Sequence, residues 1–555
     1  MSKRRWLPWL SFLLPFALYI VPHRYHSTGD SVPAELLPIS ILREHNLDFD
    51  EFLKSDSPIP YYFTVVKGRV VSSYPILPGI LNTPAYFVAD RFGVDLLKDR
   101  RRISLVTAAL LASLSVLFVF LALRECVARE TTALGFALLY AFGTTAWSTG
   151  GMTLFQHGAS LLLLSAAIFG LLRETGFGVS AAGFLLSLAV VNRPTNIVYA
   201  LPLTVFVAVH YRKRLAAFLA FAALPAAALA GYCLAYWGTL RTLGQQQGGW
   251  GFTGSPLQTL PGLLLSPARG LFVFSPFLIV GFAFGTRSLI RREERPIFRW
   301  LFLSVLLLLL LYSWWGMWWG GNAYGYRLIT ETLPALMLLS ALGWERWVSP
   351  HPGRRKAFLA MAVFSVYAEM IAVWGYPYDF EINIDREQSR LWDVRKGPIP
   401  IGTAILARRL GIPVPVPRVD HTSPVVPAAA DRAIEYRVWW SPKLDDDSIP
   451  GWYDSPTPNT RVRGPLVVDG WAKAETDEVD VRVILDNGKS VAVPARYPRP
   501  DVARALPRLG DCSKAGFRAS FDAPRDTREH TVDIELRAPS GRARRLPTIH
   551  VTWGP

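Results

Sequence analysis

The sequence predicts a multispanning α-helical membrane domain of about eleven helices followed by a C-terminal all-β sandwich. Three observations carry that prediction. The chain of 555 residues is 51% hydrophobic, with apolar runs of roughly 17–25 residues, the length that crosses a bilayer core. Those runs stop near residue 375, where the composition turns proline-rich. Beyond it, apolar and polar residues alternate with period two, the pattern of strands with one buried face.

The spans follow in order at 6–22, 103–123, 131–149, 156–172, 178–191, 196–210, 215–236, 262–286, 298–314, 328–347 and 357–375. The first follows Lys3-Arg4-Arg5 as a signal peptide would, but no small-residue cleavage site comes after it, so it reads as a retained anchor. Basic loops mark the cytoplasmic side. Eleven spans with the N-terminus inside put Lys3-Arg4-Arg5, Arg212-Lys213-Arg214, the stretch from Arg287 to Arg299 and Arg354-Arg355-Lys356 all there. Residues 74–92 are also apolar, yet Pro75, Pro78, Pro84 and Asn82 suit a helix lying in the interface. Counting them as a span would move three of the four basic clusters outside. The predicted layout is a first transmembrane helix (1–22), an outer loop with interfacial helices (23–102), a bundle (103–375), a proline-rich linker (376–434) and the sandwich (435–555).

A net charge of +16 would suggest nucleic acid in a soluble protein. In a membrane protein, orientation and anionic lipid headgroups explain basic loops first, so membrane lipids are expected partners and nucleic acid is not. Cys126, Cys233 and Cys512 are too few for a disulfide framework, and no CxxC spacing offers a metal site.

In the tail, Val479, Val481, Val483 and Leu485 share one strand face, and Asp486-Asn487-Gly488 signals a hairpin before Val491 and Val493. Val532, Ile534 and Leu536 alternate likewise, as do Ile549 and Val551. Several short strands over about 120 residues suggest a sandwich. No acid/base cluster stands out there, so the tail reads as a binding or docking module, or a structural cap.

On the eleven-span layout the functional-looking polar residues fall on the outer face. Asp30 lies just beyond the first span. It reads either as a helix-entry residue before Pro33 or as a general base that takes a proton from an attacking hydroxyl at the membrane surface. Glu35, five positions on, points away from it, and Asp48, Asp50 and Glu51 read as a solvated loop. Arg327 ends the stretch Trp318-Trp319-Gly320-Gly321-Asn322-Ala323-Tyr324-Gly325-Tyr326, where a fixed cation could stabilise a departing phosphate. An interfacial tryptophan belt explains the tryptophans, but not the glycines beside an arginine and, one turn on, Glu331. Arg269, within Ser266-Pro267-Ala268-Arg269-Gly270, interrupts an apolar stretch with helix breakers, which membranes tolerate where backbone lines a cavity. His157 at a span entrance and Arg193 in Asn192-Arg193-Pro194 complete the candidates.

In their order these elements resemble the GT-C superfamily of multispanning glycosyltransferases, the broad group of dolichyl-phosphate-mannose-protein mannosyltransferase-like and lipid A aminoarabinose transferase-like proteins. The resemblance covers roughly residues 1–400. It is carried by Asp30, by Tyr74-Pro75-Ile76-Leu77-Pro78-Gly79, by Phe92-Gly93 before an arginine-led span, by Trp318-Trp319-Gly320-Gly321 through Tyr326-Arg327, and by Leu391-Trp392-Asp393. It implies an inverting transfer from a polyprenyl-phosphate sugar to a glycan, lipid or protein acceptor, with Asp30 inheriting the base role and Tyr74 on the substrate side. It also implies a bacterial inner membrane with the active site and tail in the periplasm. Many relatives carry paired acidic residues where Ser31 follows Asp30 here, so the resemblance requires no cofactor, and a divalent cation is compatible with it rather than demanded. Residues 465–553, with Gly470-Trp471 and Arg499-Pro500-Asp501-Val502, are similar to β-sandwich tails behind some bacterial members. Two other readings stand beside this one: a transporter of lipid-linked sugar, and a non-catalytic membrane glycan receptor.

Overall fold

The computed structural model describes residues 6–22, 25–26, 28–52, 60–240, 251–291, 295–321, 323–375, 384, 388–414 and 449, and in the tail 451–455, 460–462, 465–473, 479–486, 488–493, 496–499, 502, 511–522, 529–538, 543–546 and 549–553. The chain divides into two compact units, Met1–Asp48 with Ser72–Pro427, and Phe49–Val71 with Ala428–Pro555.

The first unit is helical. Among the described residues, four helices are long and apolar enough to cross a membrane: Arg100–Arg124, Arg212–Trp237, Pro296–Ser313 and Pro352–Gly375. Six shorter apolar helices accompany them: Leu7–Ile20, Glu130–Phe142, Gln156–Leu172, Gly176–Asn192, Pro194–His210 and Leu278–Ile290. At 1.5 Å per residue the 25-residue helix Arg100–Arg124 is about 37 Å long, more than a bilayer core. Its small residues Ala108, Ala109, Ala112 and Ser115 are buried, which lets neighbouring backbones approach.

Three expected elements differ. The run 131–149 is a helix only to Phe142, followed by a π-helical turn over Ala146–Gly151. The run 262–286 is three pieces, Pro256–Leu265, Leu271–Phe274 and Leu278–Ile290. Pro267 and Pro276 each lie in a break, where a residue without an N–H does least harm. The expected linker 376–434 contains a helix, Pro398–Arg409, whose Ile401 is buried and whose Gly402 carbonyl lies against Gly375. Residues 384, 388–397 and 410–414 of the expected linker are also described, with a short turn over Gln388–Leu391, whereas Pro415, Pro417, Pro424 and Pro427 lie outside the described residues.

Within residues 23–102 lie two helices, Val32–Arg43 and Leu77–Arg91, packed closely enough that a Cβ on Gly79 would sit 2.8 Å from Leu37. Asn82 donates to the Ala34 carbonyl and to Ser104, and the Tyr86 hydroxyl donates to the Glu35 carbonyl at 2.7 Å. Between these helices the strands Phe63–Val66 and Arg69–Ser72 form a hairpin. Lys67 and Gly68 both take positive φ, as a type I′ turn needs. Phe49, Tyr62, Phe63 and Val71 are buried, and this hairpin groups with the C-terminal unit rather than with the helices on either side of it. Asp48, expected in a solvated loop, is buried.

The C-terminal unit holds two sheets. One orders Thr460–Val462, Ile549–Trp553, Glu529–Arg537, Asp480–Leu485 and Lys489–Ala492, with Ala543–Arg545 also on Glu529–Arg537. The other orders Gly451–Ser455, Leu466–Ala472, Gly516–Phe521 and Arg496–Tyr497. Val481, Val483 and Leu485 pair with Leu536, Ile534 and Val532. These six share one apolar cluster with Val468, Phe517 and Phe521 of the second sheet. The hairpin turn at 486–488 places Leu485 opposite Lys489; Asn487, like Pro500 and Asp501, lies outside the described residues.

Candidate active site

Asp30 precedes the helix Val32–Arg43 by two residues. A helix cap would turn its carboxylate onto the first backbone amides, yet two side chains distant in sequence take it instead. Tyr74 donates its hydroxyl to Oδ1 at 2.7 Å, and Arg327 donates Nη2 to Oδ2. The acid and the guanidinium stand 297 positions apart, with side chains 23% and 13% exposed. The pair is therefore partly desolvated yet open to solvent on one side, where a charge contact is worth more than on the surface.

Arg327 is aimed by its surroundings. Its Cζ lies 4.0 Å over the Phe155 ring, a cation–π distance, and its Nε donates toward His157 Nε2 at 3.4 Å. The preceding loop is anchored on both sides. The Tyr326 hydroxyl is 2.7 Å from Ser275, and the Tyr324 hydroxyl donates to the Ala368 carbonyl at 2.6 Å. Gly320 and Gly321 take φ of +74° and +67°, two consecutive left-handed residues that side chains resist. That turn presents the carbonyls of Trp319 and Gly321 to Arg269, which donates Nε at 2.8 Å and Nη2 at 3.2 Å, with Nη1 to the Ala268 carbonyl at 2.9 Å. Arg269 is thus buried and braces this loop through these carbonyls. Trp318 and Trp319, expected in an interfacial belt, are buried, with Trp318 seated on Gly262. Asn322 lies outside the described residues.

Behind Arg327 lies a buried polar cluster. Glu331 Oε1 accepts from Arg193 Nη1 at 2.7 Å and lies 2.9 Å from His157 Nδ1. Arg193 Nη1 is also 3.1 Å from His157 Nε2 and touches Nδ1, while Nη2 donates to the Tyr312 hydroxyl. Its turn is pinned by Asn192, which donates to the Gln156 carbonyl at 2.7 Å and to Ser160 at 2.8 Å. Of the seven residues expected at the site, Asp30, Tyr74, Arg327, His157, Arg193 and Glu331 therefore form one connected set, and Arg269 supports its loop.

Among the buried carboxylates outside this set, Glu35 and Glu369 lie in helices of the first unit. Glu35 accepts from Ser31 Oγ at 2.8 Å and lies 3.4 Å from Arg100 Nε, which holds it away from Asp30. Glu369, buried in the helix Pro352–Met370, has Oε2 3.4 Å from the Ser148 amide. Sequence reasoning missed Glu369. Its signal was present, a lone acid in an apolar run, which in a membrane is a functional candidate by default. Among the described residues no group of three or more His, Cys, Asp or Glu side chains could hold a metal ion. No family model matches this chain, and no curated protein matches it.

Proposed function

We propose that this chain is an integral-membrane glycosyltransferase that moves a sugar from a polyprenyl-phosphate carrier to an acceptor hydroxyl with inversion. The helical unit is read as a GT-C-like bundle of eleven crossings in a bacterial inner membrane. The C-terminal unit is read as a periplasmic β-sandwich that holds a glycan, lipid or protein acceptor.

The observation that carries the reading is the meeting of Asp30, Tyr74 and Arg327 at one partly open point. The acceptor oxygen attacks the anomeric carbon as the bond from that carbon to the phosphate oxygen breaks, and the phosphate leaves with the electron pair. Arg327 meets the developing negative charge. Asp30 receives the acceptor proton. One guanidinium then serves two anions in turn: with no donor bound it lies on Asp30, and an arriving phosphate draws it off and leaves the carboxylate free to act as base. Tyr74 keeps the carboxylate oriented during that exchange.

The test is transfer of labelled sugar from polyprenyl-phosphate donors in membranes, comparing wild type with Asp30→Asn. Loss of transfer by about 100-fold or more with unchanged folding is expected of a missing base; full activity in the variant overturns the reading. A lipid-linked-sugar transporter is the second reading, favoured by Glu369 inside an apolar helix. It predicts that Glu369→Gln stops movement of the carrier across vesicles while Asp30→Asn does not.

A further inference from the structure

We propose that His157 is the positioning residue that aims Arg327 at Asp30, and that Glu331 fixes the imidazole tautomer which makes this work. The inference rests on the transferase reading for its kinetic consequence, and on hydrogen-bond bookkeeping for its geometry.

An imidazole between these partners has three protonation patterns. With the proton on Nδ1, the ring donates to Glu331 Oε1 at 2.9 Å, and its Nε2 lone pair accepts from Arg327 Nε at 3.4 Å. Only the close approach of Arg193 Nη1 to Nδ1 is then ill matched. With the proton on Nε2, the ring N–H confronts the Arg327 Nε donor, and the Nδ1 lone pair, though it meets Arg193 Nη1, also faces the Glu331 carboxylate oxygen. With both nitrogens protonated, a third cation stands against Arg193 and Arg327 with Glu331 alone to balance it. The Nδ1–H form leaves the fewest conflicts.

That form gives Arg327 a fixed acceptor on its Nε side. The guanidinium is then held at three points: Nε on His157, Nη2 on Asp30 and its face on Phe155. When a donor phosphate replaces Asp30 at Nη2, the other two points keep the group from swinging away. Side-chain positioning of this kind is what orients a charge before the transition state. His157 needs no contact with substrate to act so.

Two substitutions separate the functions of the two ring nitrogens. His157→Gln places an amide oxygen near the position of Nε2 and retains an acceptor for Arg327. His157→Asn reaches only as far as Nδ1 and retains the bond to Glu331. Transfer is expected to stay within about fivefold of wild type in the Gln variant and to fall about 30- to 100-fold in the Asn variant. Equal activity in the two variants overturns the proposal. Nitrogen-15 spectra of histidine- and arginine-labelled protein in lipid nanodiscs give a readout that needs no activity. The His157 signal, assigned by its loss in the Gln variant, should show the Nδ1–H pattern, and the Arg327 Nε–H resonance should persist in the Gln variant and shift in the Asn variant. An Nε2–H or imidazolium pattern in the wild type overturns the proposal. Should the wild type transfer no sugar while both spectral results hold, the transferase reading fails and the positioning of Arg327 by His157 stands.

Discussion

At the scale of single residues, the site turns on how each charge is shared. Arg327→Lys keeps the cation but loses the planar fork that reaches Asp30 and His157 at once. Transfer is expected to fall about 100-fold, chiefly in kcat, in the same labelled-sugar assay. Tyr74→Phe removes one hydrogen bond to a carboxylate, worth about 1.5–3 kcal/mol, so a loss of roughly 10- to 100-fold is expected. In the C-terminal unit, burial pulls the Asp469 carboxyl upward, but hydrogen bonds from Tyr497 and Arg518 outweigh it and hold the group below its ordinary value. A carboxyl lowered on folding stabilises the fold above the unfolded carboxylate range, and that contribution disappears as pH falls through the folded value. The free energy of opening in the strand Leu466–Ala472, taken from hydrogen exchange after division by the intrinsic rate at each pH, should therefore fall on acidification in wild type and change less in Asp469→Asn.

At the scale of elements, the legible parts are those set by local pattern. Alternation at Val479–Leu485 and Val532–Leu536 foretold strands, because a period of two leaves little freedom in which side is buried, and the two lie side by side as antiparallel neighbours in one sheet. Pro75, Pro78 and Pro84 foretold a separate helix in residues 74–92, and one runs from Leu77 to Arg91. What sequence alone left dark was decided by partners far away. Arg269 reads as a substrate ligand from its place among helix breakers, and the carbonyls of Ala268, Trp319 and Gly321 that its guanidinium meets are not signalled by that local pattern. Likewise, no local signal could pair Asp30 with Arg327 across 297 positions. Arg269→Met, with its three carbonyls left short of donors, is expected to lower the melting temperature by several degrees and to cut transfer about tenfold, through the loop. Recovery of stability without recovery of transfer in a second-site suppressor would show that Arg269 touches substrate after all.

At the scale of the whole molecule, orientation and unit boundaries are open to direct measurement. The proposed topology places Phe92 and Lys213, both exposed, on opposite sides of the membrane. Cysteines introduced at these two positions should react with an impermeant reagent from opposite faces of sealed vesicles, and labelling from one face removes the eleven-span arrangement. Removing residues 428–555 should not leave a tidy membrane protein, because the aromatic hairpin at Phe49–Val71 belongs to the excised unit. Tyr74 lies three residues past that hairpin, so the shortened chain is expected to lose transfer as well as stability. The same discontinuity governs biosynthesis. The hairpin leaves the ribosome more than 350 residues before the rest of its unit exists, so that unit cannot close until the last quarter or so of the chain is made. Any chain that stops early leaves this unit without its partner segment, a state that proteases and chaperones triage.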